Sequence, residues 1–538
     1  MYHLRRLTIL SIFVGVVVFI TWVLPQALNP VKKSREAREA ERRWVSTSPY
    51  WLDRQACRWF SLCGLLHVKT DPPSKEDDDD DDDEDRAPEL RRLWEEQRQQ
   101  RILYTAGKDG SKHGGSSSSN TQGLREIPDY VLDYAPLVHL YSKEFFWPAD
   151  IADHVKHMMP YSGDTRLNLT EPLELGNLHE LHKLHKHSSG LFLRSRTDVE
   201  ARPSWLHNWF NMPALYDDDD DDDDGEGGHW QEEDQLSGDT TTWFDVDRDH
   251  PLQRISDPRK LPGGGLSSPM VPRAARGPRD SIQGRRERSA PTLTAQHKPD
   301  DSGFSRAPAT LVLVDKGSGI VDAFWFFFYA YNLGQTVLGV RYGNHVGDWE
   351  HTMIRFDSGV PRAMFFSEHE GGQAYAWHAV EKRGNETEKQ RPVIYSAVGS
   401  HAMYAMPGNH PYVLPFGMLK DQTDRGPLWD PRKNFRAYWY DYTAATTTAT
   451  GHNAAEGLEP VKEQPEAPTS WFHYGGKWGD QLYGLDDRRQ WRLFGQYHYV
   501  TGPEGPKSKN LAREKMCFSR RCRILHSIAE GRKSTWVS

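Results

Sequence analysis

The sequence predicts a mainly β protein: an antiparallel β-sandwich with a few short helices, one N-terminal transmembrane helix and long disordered insertions. Three observations predict it. The chain holds 19 Trp, 22 Tyr and 21 Phe in 538 residues, and large rings bury much apolar area and suit strands. Its mean hydropathy is nonetheless −0.76, because polar tracts take a large share of the chain. Between 307 and 500, apolar runs of four to eight residues are cut repeatedly by Gly, Pro, Asn and Asp, the pattern of many short strands.

The elements follow in order. Residues 1–6 are a short tail that includes Arg5 and Arg6. Leu7 to Leu24 carries no charge; at about 1.5 Å per residue it spans roughly 27 Å, enough for a hydrocarbon core. The run is longer than that of a cleaved leader, and Pro25-Gln26-Ala27 is a poor cleavage site, so it reads as a signal anchor. Residues 25–126 read as a stalk, helical in pattern over 31–56, and a disordered acidic linker holding the run Asp77 to Asp85. The β-rich domain is discontinuous, 127–216 and 307–500. In its first part Pro148 and Asp150 open a short helix running to Met158. In its second, TLVLVD, AFWFFFYAY, TMIRF, AMFFSE, YAWHAVE, PVIYSAV and FRAYWYDY read as strands. The insertion 217–306 begins with Asp217 to Asp224 and continues Gly-, Pro-, Ser- and Arg-rich; nothing in it can bury a core, and it reads as disordered. Residues 501–538 form a tail with a cysteine pair.

The net charge of −9 comes from the two aspartate runs, which read as solvated spacers. The basic residues scatter outside any recognisable module, which argues against a nucleic-acid partner. Lys32, Lys33, Arg35, Arg38, Arg42 and Arg43 after the anchor would hold the bulk of the chain in the cytosol. Two glycosylation sequons, at Asn168 and Asn385, and four cysteines argue for the lumen instead. Cys57, Cys63, Cys517 and Cys522 allow three pairings, closing two local loops or stapling the two ends together. The reading adopted is a single-pass membrane protein of the secretory pathway with its bulk lumenal.

The segment GNHVGDWEHTMIRF (343–356) is the richest in chemistry. On a strand, Asp348, Glu350 and Thr352 share one face, and Trp349, His351 and Met353 the other. Two carboxylates on one face repel unless a proton or cation sits between them. With His345 leaning over from the preceding turn, they form a candidate site for one divalent cation, Ca, Mg or Mn. The alternative is a hydrogen-bonded network with the acids paired to Arg341 or Arg355. His369, after Ser367-Glu368, and His401, after Gly399-Ser400, are candidate general bases, but no nucleophile elbow surrounds either serine. His179, His182, His185 and His187 read as a surface cluster. Two function classes follow. A binding module would present the strand-end site to a lipid head group, a glycan or cargo. A metal-dependent hydrolase would use the cation to activate water, with His369 or His401 as base. Binding is favoured because no catalytic set is complete. Replacing Asp348 by Asn and Glu350 by Gln together is expected to abolish function and leave folding intact.

YVLDYAPLVHLYSKE, FWFFFYAYNLG, GNHVGDWEHTMIRF, SEHEGGQAYAW, YSAVGSHAMYA, HPYVLPF and GPLWDP occur collinearly and together resemble the vacuolar protein sorting-associated protein 62 family. That resemblance implies a membrane protein linked to sorting of proteins to the vacuole. NHVGDWE followed by SEHEGG is similar to a motif of the necrosis- and ethylene-inducing-like cytolysins. This second resemblance implies a β-sandwich that binds a divalent cation at one end, where it meets sphingolipid head groups. His345, Asp348 and Glu350 then stand in ligand positions, and Asn332 stands where a further acidic ligand belongs. Gly347 departs from the motif, which has a second His there.

Overall fold

The computed structural model describes residues 11–19, 34–70, 123–184, 190–201, 203–206, 297–369, 371–384, 390–411, 419–444, 457–518 and 522–533. The chain divides into two units. One comprises 1–71, 125–209 and 293–538; the other comprises 72–124 and 210–292. Apart from 123 and 124, the second unit lies outside the described residues, as do both aspartate runs and most of the insertion read at 217–306. Of the apolar run 7–24, residues 11–18 are helical, and most of the remainder lies outside the described residues. No described helix is long and apolar enough to cross a membrane.

The first unit is mainly β. A short strand β1 (Leu137–His139) is followed by the long hairpin of β2 (Ala309–Gly317) and β3 (Ile320–Asn332). Then come β4 (His345–Asp357), β5 (Val360–Glu368), β6 (Gly371–Ala376), β7 (Arg391–Ser396) and β8 (Met403–Tyr404). β9 (Lys420–Thr423), β10 (Leu428–Trp429), β11 (Phe435–Tyr440), β12 (Leu458–Pro460) and β13 (Ile524–Leu525) complete the set used below. The large sheet runs β12-β11-β2-β3-β4-β5-β6-β13, and a smaller sheet joins β7, β1 and β10, with β8 beside β7. The purely antiparallel expectation needs correcting: β11 with β2, β6 with β13 and β7 with β1 pair in parallel. In each case a distant segment returns to the sheet by a long connection, which frees it from the hairpin rule.

Every residue of β3 after Ile320 is buried, so both faces of the large sheet are covered there. On one face Phe327 meets Trp429 at 5.3 Å and Tyr329 stacks on His401 at 3.6 Å. On the other, Phe328 packs on Trp349 at 4.8 Å and on His154 at 4.8 Å. Two-sided burial explains why AFWFFFYAY is a continuous apolar run instead of an alternating one. His154 comes from a short helix, Ile151–Lys156, whose N-cap Asp150 accepts from Ala152 N–H. The helix expected there stops short of Met158, which opens a strand, and the YAWHAVE run leaves its strand at Ala376 for a single helical turn, Trp377–Ala379.

Within the stretch read as stalk and linker, residues 34–70 are folded. Helices α1 (Arg35–Ser46) and α2 (Trp51–Phe60) are held by Trp44, whose indole N–H donates to the Tyr483 carbonyl at 2.8 Å, and by the Glu41–Arg492 ion pair at 2.9 Å. Trp44, Val45, Cys57, Cys63 and Leu485 share one apolar cluster. The stretch read as tail also joins the fold, through β13. Cys57–Cys63 and Cys517–Cys522 are disulfides, so the cysteines close two local loops.

Candidate functional site

β4 begins with a backbone that only glycine suits. Gly347 has φ +70, and a Cβ there would lie 2.4 Å from the Trp478 carbonyl oxygen. Beyond it the strand alternates as expected. Asp348 lies opposite Tyr329 and Glu350 opposite Phe327 in the register of β3, and the side chains of Tyr329 and Phe327 meet His401 and Trp429. Trp349 and His351 serve the opposite face, where His351 packs among Phe326 and Phe365; burial holds its imidazole well below the usual range.

Two centres form around the carboxylates. The first is His401, in a left-handed conformation at φ 55 between β7 and β8. Its Nδ1 lies 2.9 Å from Asp348 Oδ2 and its Nε2 3.6 Å from Glu144 Oε1. Burial alone would lower its pKa, but Glu144 and Asp348 outweigh burial and raise it to about 9, so it sits as an imidazolium between two acids. Glu144 also accepts from the N–H groups of Phe145, Phe146 and Gly399. The second centre is Asp421 in β9. It accepts from Ser400 Oγ at 2.8 Å and Tyr404 OH at 2.7 Å, and His369 Nε2 lies 2.7 Å from it. Burial pushes the Asp421 carboxyl up, but His369 and the two hydroxyls outweigh it and hold it below the usual range. Burial likewise opposes the charge on His369, yet the facing carboxylates raise its pKa to about 9.

Glu350 lies between the two centres and pairs with the Ser367 hydroxyl, which accepts from His351 N–H at 2.9 Å. Burial first, and the Asp348 charge second, push its carboxyl up to about 8, so it holds a proton at neutral pH. Glu368 is buried beside it, and burial pushes it up as well. The cluster meets solvent at His369, whose side chain is 26% exposed, and at half-buried His345.

The structure therefore gathers His345, Asp348, Glu350, His369 and His401, but not as a cation cage. His345 spends Nδ1 on the Gly347 carbonyl at 2.7 Å. Asn332 faces His345 in the register and donates to the Gly343 carbonyl at 2.9 Å. Asp348 is taken by an imidazolium and Glu350 by a hydroxyl. Among the described residues no three His, Cys, Asp or Glu side chains form a group that could hold a metal ion, and as they stand these residues do not fit one. The network alternative is closer, with different partners: Arg355 pairs with Asp322 at 2.7 Å and Arg341 donates to the Gly334 carbonyl. Glu144, Asp421, Tyr329 and Tyr404 were not singled out as site residues by sequence reasoning. Nothing in their spacing marks them, because they reach the site from other elements. Asn168 is exposed, and Asn385 lies outside the described residues. His182 Nε2 accepts from Gly475 N–H and His179 bonds Ser470, which ties that histidine pair into the fold; His185 and His187 lie outside the described residues.

Comparison with known proteins gives a context for this geometry. A family profile described as vacuolar protein sorting-associated protein 62 matches residues 321–428, a span containing every cluster residue except Glu144. The chain is 32% identical over 432 residues to vacuolar protein sorting-associated protein 62 of Saccharomyces cerevisiae, covering 75% of this chain and 71% of that protein. It is 33% identical over 419 residues to TDA6 of the same yeast, covering 73% and 68%. Among solved structures it is similar to one titled "Toxin fold for microbial attack and plant defense", at 14% identity and TM-score 0.15 over 24% of this chain and 56% of that one. It is also similar to the non-toxic HaNLP3 protein, at 12% identity and TM-score 0.15 over 30% and 65%. At those scores the likeness carries no argument.

Proposed function

The chain belongs to the vacuolar protein sorting-associated protein 62 family, and from that premise we propose that it acts in sorting proteins to the vacuole. In this reading it is a single-pass membrane protein, anchored by 7–24, whose folded unit binds a ligand at the His369–Asp421 edge of the cluster. The observation that carries the reading is that the buried acid–imidazole cluster falls within the family's own segment. Burying this many ionisable groups is costly unless each is paired, and here four of them come from positions as distant as 348, 369, 401 and 421. The pairing fixes a positively charged His369 at the surface. That edge suits an anionic or hydroxyl-rich ligand: a lipid head group, a glycan or an acidic stretch of cargo. Exposed Asn168 and two disulfides suit an oxidising lumen.

The hydrolase alternative has less support. His401 has carboxylates at both nitrogens and His369 is bonded to Asp421, so neither stands ready as a base. The test is replacement of His369 by Gln, which removes the surface charge but can still donate to Asp421, in cells whose sole family member is this chain. Mis-secretion of a vacuolar marker at unchanged protein level is expected; normal sorting would remove the ligand edge from the proposal.

A further inference from the structure

We propose that α2 and the turn after it form a membrane-seating surface that lies on the phospholipid bilayer beside the chain's own anchor. The inference rests on the reading of 7–24 as that anchor. Trp51, Leu52 and Trp59 are 63, 74 and 71% exposed, and Leu66 is 71% exposed; Phe60 and Leu65 are exposed beside them. At about 100° per residue, Trp51, Gln55, Trp59 and Leu52 fall on one stripe of the helix roughly 100° wide. Cys57, the residue of α2 buried in the protein, lies on the far side and is tied by its disulfide to Cys63. The apolar stripe is thus fixed outward by the same disulfide and cluster that fix the inward side.

Three features select a bilayer as occupant. Trp, with an apolar body and a polar N–H, concentrates at membrane–water interfaces. Six arginines against four acids occupy residues 34–60, and exposed Arg38, Arg42, Arg43 and Arg58 complement phosphate head groups. Finally, nine residues separate Leu24 from Ser34, a reach of at most about 35 Å over ten steps, so an anchor at 7–24 keeps α1 and α2 at the membrane. Residues 12, 13, 14, 16, 18 and 19 of the apolar run are themselves exposed.

The test uses the full chain in a Trp22→Phe background, reconstituted into phosphatidylcholine–phosphatidylserine vesicles whose acyl chains are brominated near the head group. Quenching of tryptophan fluorescence is compared with and without Trp51→Phe and Trp59→Phe, while resistance to alkaline carbonate extraction reports the anchor separately. The expected result is resistance in both forms, with quenching falling at least twofold in the double variant. Resistance with equal quenching, or with none, overturns the seat and leaves the anchor standing. Quenching that depends on the two tryptophans in a protein that carbonate extracts supports the seat and removes the anchor. Extraction without quenching overturns both.

Discussion

At the scale of single residues, the structure changes what substitutions at the site should do. Asp348 is buried with a charged partner, so Asp348→Asn leaves the His401 imidazolium with one carboxylate fewer in a dry site. Breaking a buried pair costs about 3–5 kcal/mol; denaturant titration should show a loss of that order, and the pKa of His401 should fall from about 9. Glu350→Gln is the contrasting case. Its carboxyl already holds a proton at neutral pH, so the amide is a near isostere, and the cost should stay under about 1 kcal/mol. On this account the two replacements together should lower stability, not leave folding intact, and the loss should come from Asp348. Equal losses at the two positions would mean that Glu350 is ionised.

At the scale of the element, β4 owes its course to Gly347. The missing second His of the cytolysin-like motif has a steric cause: at φ +70, with the Trp478 carbonyl 2.4 Å from where a Cβ would stand, no side chain fits. Gly347→Ala should cost about 2–4 kcal/mol and disturb the entry of Asp348 into the site, seen as a lower unfolding midpoint and loss of near-ultraviolet tryptophan signal. A midpoint within a degree of the parent would refute this account. The strand's two-residue alternation was legible in the sequence because it depends only on backbone geometry. What each face meets was not, since β3, β7 and the loop carrying His401 come from separate stretches.

For the whole molecule, the buried ionisable groups set a stability profile. His401 and His369, raised to about 9, stabilise fully below the unfolded value near 6.5, and that contribution is lost as pH rises through 9. Glu350, raised to about 8, likewise favours the folded state at low pH and withdraws that support as pH rises from about 4.5 to 8. His473 and His498, lowered to about 4 and about 3, act oppositely, because the unfolded chain takes up protons below about 6.5 that the folded one resists. Thermal unfolding followed across pH should therefore give a maximum near pH 6 and a fall on both sides, by a few kcal/mol at pH 9. A plateau from pH 6 to 9 would show that the two imidazoles are neutral.

The sequence by itself determined the mainly β character, most of the strand segments, the place of the short helix near Asp150 and the order of faces along β4. These follow from side-chain type and period, which act over a few residues. The tertiary structure alone decided the pairing of the cysteines, the folding of α1 and α2 onto residues 483–497, and the partners of Asp348 and Glu350. Ser367 and His401 lie 17 and 53 positions from the acids they serve, and Glu144 reaches His401 from another element again. Local spacing shows that two carboxylates share a face; which charge or hydroxyl closes over them depends on what the folded sheets bring there.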